Sequence, residues 1–512
     1  MAAGTSPRWP LLVALAAVLV HWSAFGNGFA LDDVRLVEGN PALGSVARIP
    51  SLFLAPYWNA PGEHYGLYRP LTIVSLAIDR AVFGAGPLGF HLVNVLLHAG
   101  VTALAWLALR RAGTHYGTAL LGAGLFAVLP IHTEAVANIA GRAELLAALF
   151  VLAAWVAHRR AGDADDAAGR WRVASALFYL GAILSKESAI LAPLLFFADD
   201  AMRGRKNASA RPRFVIGYGS AFAVMLALRV AALGVHQTAE GAIPLDNPAA
   251  AAGTWPRVAT ALWVQLKYAL LCVAPRHLVS DYSFDAIPVA RSFADPRVVA
   301  GAAFVAAVGA TAFWGWRRSR PLALAAVLWI VFFLPSANLL FPTGTIMAER
   351  LAYLPSLGIC LALGHLGAAF AAREGFPSAV RARRAGVVAL AVVAIIAMAW
   401  RTIARVPDWK DNSALALADV FTMPRSAKLQ AGAGIVLADA GRTAEAEAHL
   451  LRAVTIYPDY AQMHYNLAVL LARRGARADA ITHLRRAIEL APGNPLPRQL
   501  LDRLSERGQV AH

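Results

Sequence analysis

Long apolar runs alternate with short basic loops along most of the chain, and this alternation predicts helices that cross a membrane. The runs are about 18–22 residues long, which is the length that a helix needs to span a hydrocarbon layer of roughly 30 Å. A helix is favoured there because it satisfies its own backbone hydrogen bonds without water. The runs lie at 10–29, 90–109, 117–136, 143–158, 173–199, 214–235, 257–274, 297–316, 321–341, 351–371 and 385–404.

Basic loops orient these helices, because Lys and Arg concentrate on the cytoplasmic side of a membrane. The run 173–199 has basic loops at both ends and is broken at Lys186, so we interpret it as a short helical hairpin. Both ends of the run 257–274 lie in external segments, so we interpret it as re-entrant or interfacial. The N-terminus is then cytoplasmic, and about nine runs span fully. The basic loops are at 110–111, 159–172, 203–213, 317–320 and 373–384.

The membrane domain is predicted to cover residues 1–404. Its first run lacks a clear small-x-small cleavage site, so we interpret it as an uncleaved span and not as a signal peptide. Three external segments join the helices, at 30–89, 236–296 and 342–350. The two long segments predict a roofed cavity at the outer membrane surface.

The sequence after residue 426 repeats with a period of 34, since 427–460 aligns with 461–494. A glycine marks the turn in each unit and a proline closes it. The pattern resembles the tetratricopeptide repeat, a pair of helices with that period. We therefore predict two repeats over 426–495, a linker or capping helix over 405–425, and a second capping helix and tail over 496–512. The fold class is all-α, a polytopic membrane bundle followed by a small helical-repeat domain.

Composition supports a membrane protein, because 58% of the residues are hydrophobic and only 15% are charged. The net charge of +16 does not indicate nucleic-acid binding, since the arginines cluster at the ends of apolar runs. Cys272 and Cys360 lie in apolar stretches, which argues against a disulfide framework. Nucleotide-binding motifs do not occur in a supporting context, so the energy for any chemistry has to arrive with the substrate.

Asp32 and Asp33 follow the first span directly, at the external surface. A carboxylate beside hydrocarbon is costly unless it has a partner or a role. Either Asp could act as a general base toward a hydroxyl or bind a metal. The alternative is a solvated pair that ends the span.

Further polar residues gather near the predicted outer surface. Arg69 has a planar guanidinium group, whose hydrogen-bond donors suit a phosphate. A dense set follows on the second span and on the turn between the next two spans, and it predicts a substrate pocket or, for Arg142, a structural ion pair. That set consists of His91, His132, Glu134, Asn138, Arg142 and Glu144.

Three later segments add candidates. Lys186 breaks an apolar run, and its alternative role is a cytoplasmic hairpin tip. Asp246 lies in the second outer loop. Glu349, Arg350 and Tyr353 fall on one helical turn, where Arg350 could bind a lipid phosphate or pair with Glu349.

In their order along the chain, these motifs resemble the transmembrane-and-tetratricopeptide O-mannosyltransferases and their bacterial relatives. The resemblance covers essentially the whole chain. It is carried by Asp32-Asp33, Tyr68-Arg69-Pro70, His91-Leu-Val-Asn94, His132-Thr-Glu134, Gly141-Arg142-Ala-Glu144, Lys186-Glu187, Asp246-Asn247-Pro248, Asp281-Tyr282-Ser283 and Glu349-Arg350.

The resemblance implies a glycosyltransferase of the GT-C class, which takes a sugar, mannose or another hexose, from a polyprenyl-phosphate carrier. It implies catalysis by Asp32 or Asp33, phosphate binding by Arg69, Arg142 and Arg350, and a pocket formed by the other candidates. No cofactor is implied with certainty, and a divalent cation, Mn or Mg, stays open. The acceptor is a protein or glycan docked by the repeats, and the composition points to a bacterial inner membrane with a periplasmic tail.

Three alternatives compete with this hypothesis. A membrane-anchored repeat scaffold would explain the tail but not the polar residues at the outer surface. A ligase or polymerase that moves a whole glycan would use a similar membrane domain. A transporter is disfavoured, because no ionisable residues run through the middle of the predicted spans.

Overall fold

The computed structural model of the protein describes residues 8–58, 66–163, 167–204, 211–234, 243–374 and 376–509. Helices and short helical turns make up nearly all of these residues, and no strand occurs among them. The prediction of an all-helical membrane bundle is therefore confirmed. The beginning of the predicted second loop, at 236, lies outside the described residues.

The described part of the membrane domain contains sixteen α-helices, which we number in chain order. They are α1 (Arg8–His21), α2 (Ile49–Leu52), α3 (Pro70–Phe83), α4 (Pro87–Arg111), α5 (Tyr116–Val128), α6 (Thr133–Ala137), α7 (Arg142–Asp163), α8 (Ala168–Ser185), α9 (Ala192–Met202), α10 (Arg211–Leu233), α11 (Pro248–Ala251), α12 (Thr254–Val273), α13 (Pro296–Arg318), α14 (Arg320–Phe333), α15 (Ser356–Ala371) and α16 (Pro377–Arg405).

Six stretches of the described residues are long and apolar enough to cross a membrane, and a bent pair formed by α5 and the segment Pro130–Ala137 would make a seventh. Two shorter apolar stretches, Arg320–Ser336 and Ser356–Ala371, correspond to the remaining two of the nine predicted spans. The six stretches are Arg8–Gly26, Pro87–Arg111, Ile139–Asp163, Pro212–Leu233, Pro296–Arg318 and Pro377–Lys410.

The run 173–199 forms a hairpin whose two arms are α8 and α9. Lys186, between the arms, pairs with Glu144 at the beginning of α7. Asp200, near the end of α9, lies 2.9 Å from His158 near the end of α7. Both arms therefore run the length of α7, and the hairpin tip lies at the end of the bundle that carries Asp32. We call this end the site end and the opposite one the basic end. The alternative interpretation, in which the hairpin tip lies on the side of the basic loops, is wrong.

A buried carboxylate fastens helices together at the basic end. Asp199 accepts hydrogen bonds from Arg320 at 2.9 Å and from Trp155 at 3.1 Å, and it lies 3.6 Å from Arg159. These residues belong to α9, α14 and α7. Since both Asp199 and Arg159 are almost fully buried, their charges compensate each other and hold the three helices in register.

The helix α12 stays at the site end. Arg257 in its first turn donates to the carbonyl of Leu339 at 3.1 Å, and Tyr268 in its fourth donates to the carbonyl of Ala348 at 3.0 Å. Both ends thus contact the same site-end segment, and α12 is absent from the stretches that pass as spans. This placement agrees with the interfacial alternative for the run 257–274.

The first outer loop folds back onto the bundle. Its helix α3 carries a buried apolar face that packs with the short helical turns after Asp33 and with Phe90 of α4. Leu76 and Val37 are fully buried in this small core. The segment between the first two spans is therefore folded against the helix ends.

The tail consists of paired helices that confirm the tetratricopeptide prediction. Gly441 and Gly475 make the turns within the two pairs, with φ of 75° and 86°, values that favour glycine. Ala446 and Ala480 are fully buried where the helices of each pair approach. The tail helices are α17 (Asn412–Thr422), α18 (Ala427–Asp439), α19 (Thr443–Ile456), α20 (Ala461–Arg473), α21 (Arg477–Leu490) and α22 (Pro495–Gln509).

The tail docks on the second outer loop. The amide of Asp285 donates to the carbonyl of Arg425 at 3.1 Å, and the amide of Ala427 donates to the carbonyl of Phe284. Phe284 also contacts Tyr457, with ring centroids 5.0 Å apart. A backbone pairing next to an aromatic contact fixes the first repeat against the membrane domain, so the tail is not a tethered, independent module.

Candidate functional site

Asp33 is a fully buried residue of the scaffold. Its two carboxylate oxygens accept hydrogen bonds from the backbone amides of Ile139 at 3.0 Å and Ala140 at 2.7 Å. Burial raises the pKa of Asp33 to about 7, although these amides lower it. The side chain therefore ties the first outer loop to the turn before α7, and no part of it faces an open site.

Asp32 differs from its neighbour because it is only partly buried. Leu31, just before it, adopts the left-handed conformation with φ of 50°. The amide of Leu31 donates to Oδ1 of Asn412 at 2.7 Å, and the amide of Gly28 donates to the carbonyl of Lys410 at 2.7 Å. The segment that begins the tail thus holds the backbone that presents Asp32.

Arg350 is the cation that faces Asp32. Its Nη1 pairs with Glu134, and its backbone amide donates to the other oxygen of Glu134 at 2.8 Å. Burial lowers the pKa of Arg350, but Glu134 and then Asp32 raise it above its ordinary value. The Arg350 side chain is 35% exposed, so it can contact a ligand. The predicted alternative, a pair with Glu349, is wrong.

Two more cations complete this cluster. Arg69 donates through Nε to Glu187 at 2.8 Å, and its guanidinium lies 4.9 Å from the ring centre of Tyr57. Lys186 pairs with Glu144, and both of these side chains are nearly buried. The structure thus brings three cations and four carboxylates together at one place. We call this set the ionic cluster: Asp32, Arg69, Glu134, Glu144, Lys186, Glu187 and Arg350.

An apolar pocket begins at the ionic cluster. Glu144 and Lys186 line it together with the first three turns of α7 as far as Val151. The opposite wall comes from Phe332 near the end of α14 and from Leu354. The pocket is small, about 20 Å³, but its combination of charged and apolar side chains matches the character of an amphipathic molecule with an anionic head.

Arg142 belongs to the scaffold and not to the open site. Its guanidinium has no exposed surface, and it lies 2.6 Å from a carboxylate oxygen of Asp79. It also donates to the carbonyl of Phe90 at 2.9 Å and to the side chain of Asn94. A phosphate has no access to these donors, so the structural ion pair, one of the two predicted roles, fits the geometry.

Other predicted pocket residues are also buried in the scaffold. His91 contacts the carbonyl of Gly28 at 3.0 Å, and Asn138 caps the turn before α7 by accepting from Ala140 at 2.9 Å. His132 contacts the Ser356 hydroxyl at 2.8 Å. The hydroxyl of Tyr353 lies 2.7 Å from Nδ1 of His98. All four side chains are therefore occupied by contacts inside the scaffold.

Glu349 and Asp246 have their hydrogen-bond and ionic partners outside the ionic cluster. Glu349 accepts from the Tyr282 hydroxyl and the Val279 amide, both at 2.7 Å, and burial raises its pKa to about 8. Asp246 pairs with Lys428 of α18 at the tail junction. The first residue anchors the second outer loop, and the second anchors the tail.

Sequence reasoning did not select Tyr57, Glu187 or Asp79 as site or partner residues. Tyr57 and Asp79 lie in the long first loop, where no local pattern distinguishes them. Glu187 adjoins the candidate Lys186 and interrupts the same apolar run. An ionisable residue inside such a run is a functional candidate by itself, so this signal could have found Glu187.

No group of three or more His, Cys, Asp or Glu side chains is placed to hold a metal ion, within the part of the chain that the structure describes. Asp32 and Glu134 are the two carboxylates whose charges raise the pKa of Arg350.

We predict that Gly141→Ala destabilises the protein. A Cβ at this position would lie 2.3 Å from the carbonyl oxygen of Ala135, a backbone atom that cannot move aside as a flexible side chain could. We expect a loss of about 1–3 kcal/mol or more, measured by thermal unfolding in detergent. Gly124→Ala is the matched control, because its Cβ would meet only a flexible side chain at 3.8 Å. Equal stability of both variants would contradict the prediction.

Comparison with known proteins agrees with this architecture. A family model described as protein O-mannosyl-transferase TMTC, DUF1736, matches residues 242–309, and a tetratricopeptide-repeat model matches 413–461 and 431–495. The chain is 28% identical over 88% of its length to protein O-mannosyl-transferase TMTC3 of Mus musculus, covering 51% of that protein.

Two other relatives are similar at the same level. The chain is 28% identical to protein O-mannosyl-transferase F38B6.6 of Caenorhabditis elegans, with 88% of this chain and 63% of the relative covered. It is 28% identical to human TMTC4, with 85% and 64% covered. The chain therefore spans half to two thirds of the length of these relatives. No solved structure matches it. The resemblance to the transmembrane-and-tetratricopeptide O-mannosyltransferases is confirmed, and the chain is similar to these proteins over most of its length.

Proposed function

We propose that the protein is a membrane glycosyltransferase that transfers a sugar from a polyprenyl-phosphate carrier to a hydroxyl group of a protein. The names of its relatives indicate mannose and a protein acceptor. The observation that carries the proposal is the ionic cluster at the mouth of an apolar pocket. The cluster suits a phosphate and the pocket suits the beginning of a prenyl chain.

In the proposed reaction, the Asp32 carboxylate takes the proton from the acceptor hydroxyl. The hydroxyl oxygen then forms a bond to the anomeric carbon of the sugar. The bond between that carbon and the phosphate oxygen breaks, and polyprenyl phosphate leaves. Arg350, whose Nη1 pairs with Glu134, offsets the charge that develops on the leaving phosphate, with Arg69 and Lys186 beside it.

We place this chemistry on the external, periplasmic side of the membrane. The basic end carries the arginines that close α4, α7 and α13, and such residues concentrate on the cytoplasmic side. The GT-C class is part of the proposal, since a lipid-linked donor at an outer helix-bundle surface is what that class uses. The docked tail would present a bound protein acceptor of the sugar on the same side of the membrane as Asp32.

The test is transfer by the purified full-length protein. We expect a polyprenyl-phosphate hexose to donate its sugar to a peptide that contains Ser and Thr, with the product identified by mass spectrometry. Transfer from a nucleotide sugar without any lipid-linked donor would overturn the proposal. Transfer of a whole preassembled glycan, and not of one sugar, would favour the ligase alternative.

Arg69→Gln tests the donor-phosphate site. We expect the KM for the donor to rise about tenfold or more, because a charge-assisted hydrogen bond contributes roughly 1.5–3 kcal/mol. Glu187 is 53% exposed, so the variant leaves no buried charge behind. Arg80→Gln is the control in the helix that follows Arg69, because Arg80 donates to the carbonyl of Val37 and lies outside the ionic cluster. An unchanged KM in the Arg69 variant would exclude Arg69 from the site.

A further inference from the structure

A groove between α8 and α10 lies on a face of the bundle that plays no part in the proposed reaction. Its volume is about 520 Å³. Val173, Leu177 and Val224 contribute apolar walls, while Arg172 and Arg213 lie at one end. Gly217 lets the two helices approach, since a Cβ there would lie 3.4 Å from Ala176.

The charged end of this groove has no acidic partner among the described side chains. Arg172 and Arg213 form no ion pair there, whereas the neighbouring Arg159 is paired with carboxylates. Trp171 lies beside them, with the guanidinium of Arg160 4.5 Å from its ring centre. Tryptophan and arginine together are typical of the level of lipid headgroups. The groove therefore begins where the phosphates of one leaflet lie.

The length of the groove fits one leaflet. It extends from Gly169 to Leu180 on α8 and from Arg213 to Val224 on α10. At 1.5 Å per residue both distances are roughly 16 Å. Half of a hydrocarbon layer of about 30 Å is roughly 15 Å, so an acyl chain of a single leaflet would lie along the groove.

We propose that this groove binds an anionic glycerophospholipid, with its phosphate between Arg172 and Arg213 and one acyl chain along the apolar walls. The charge complementarity selects an anionic headgroup over a zwitterionic one. The guanidinium group of arginine suits a phosphate because it can donate two parallel hydrogen bonds. The bound lipid would fill the space between α8 and α10 at the basic end, independently of sugar transfer.

The experiment is a lipid titration of the delipidated full-length protein, followed by native mass spectrometry. Phosphatidylglycerol should bind more tightly than phosphatidylcholine. The double variant Arg172→Gln/Arg213→Gln should weaken phosphatidylglycerol binding about 30-fold, since each basic residue near an anionic surface contributes a factor of about five. Arg317→Gln/Arg318→Gln is the control, because these arginines end α13 at the same end of the bundle but lie outside the groove.

A second pair of variants tests the apolar part. Gly217→Leu should fill the groove and weaken the binding of phosphatidylglycerol, while Gly219→Leu should not, because Gly219 does not line the groove and a Cβ there meets no atom within 4 Å. Glycerol phosphate alone should not displace the lipid. The proposal would be overturned if the protein bound both lipids with equal affinity. It would also be overturned if both double variants lost the same affinity for phosphatidylglycerol, or if free glycerol phosphate displaced the lipid.

Discussion

Asp32→Asn is expected to abolish sugar transfer while the protein stays folded. Asp32 is partly exposed, and its charge acts on Arg350. Of the two adjacent aspartates, it is therefore the one that can contact an acceptor hydroxyl. Asn keeps its shape but cannot take a proton. Loss of a general base typically lowers the rate by about 10²–10⁴-fold, and we expect kcat to fall by this factor in the transfer assay described above.

Asp33→Asn provides the matched control at the adjacent position. Both oxygens of Asp33 accept backbone amides, and Asn would turn an amino group toward one of them. The buried amide left without an acceptor costs about 1–3 kcal/mol. We therefore expect a lower unfolding temperature with substantial kcat in the folded fraction. If Asp32→Asn kept full activity, or if Asp33→Asn lost it at normal stability, the two roles would be reversed or wrong.

The membrane architecture could be predicted from the sequence because the lipid bilayer imposes it on the chain. The length of each apolar run and the period of 34 in the tail depend on residues that are close in the chain. The run 173–199 shows where such reasoning stops. Its hairpin followed from the break at Lys186, but the side of the tip depended on the contact of Lys186 with Glu144, which no local pattern reveals.

The partners within the site could not be predicted, because packing and not proximity in sequence chooses them. Arg350 has Glu349 beside it in the chain, yet it pairs with Glu134, 216 residues away. Glu349 turns instead to Tyr282. Local spacing identified these residues as unusual, since charges near hydrocarbon are costly. Only the arrangement of the helix ends determines which opposite charges meet.

The same limit applies to the roles of the candidates. Asp32 and Asp33 are equivalent in sequence, and the turn that supplies the amides of Ile139 and Ala140 makes one of them structural. The first residues of the tail then hold the other in place through Asn412 and Leu31. A segment about 380 residues away thus contributes to the position of the proposed base, which explains why the docked tail belongs to the site.

The largest loss of stability is expected for Arg142→Gln. Arg142 has no exposed surface and lies 2.6 Å from Asp79, whose side chain is 7% exposed. Removing one partner of a buried ion pair costs about 3–5 kcal/mol, because the other charge remains without compensation. Thermal unfolding in detergent should show this loss. Arg297→Gln is the control, since its pair with Asp295 is exposed and exposed ion pairs contribute little to stability.

The cause of this loss can be identified from its pH dependence. Burial already raises the pKa of Asp79, although Arg142 lowers it, and without Arg142 the pKa should rise further. Below the ordinary pKa of Asp, about 3.9, the carboxyl is protonated in both the folded and the unfolded state. As the pH rises above that value, the unfolded state releases the proton first, so the variant loses stability until the pH passes the raised pKa of the folded state.

The difference between Arg142→Gln and the parent protein should therefore be smaller near pH 4 than near pH 7.5. The double variant Asp79→Asn/Arg142→Gln should recover part of the lost stability at pH 7.5 and remove the pH dependence, because no buried charge is left. A loss that is independent of pH and unchanged in the double variant would mean that the contacts of Arg142 with Phe90 and Asn94 stabilise the fold more than its charge does. In that case the ion pair with Asp79 would not be what fastens the first outer loop to α7.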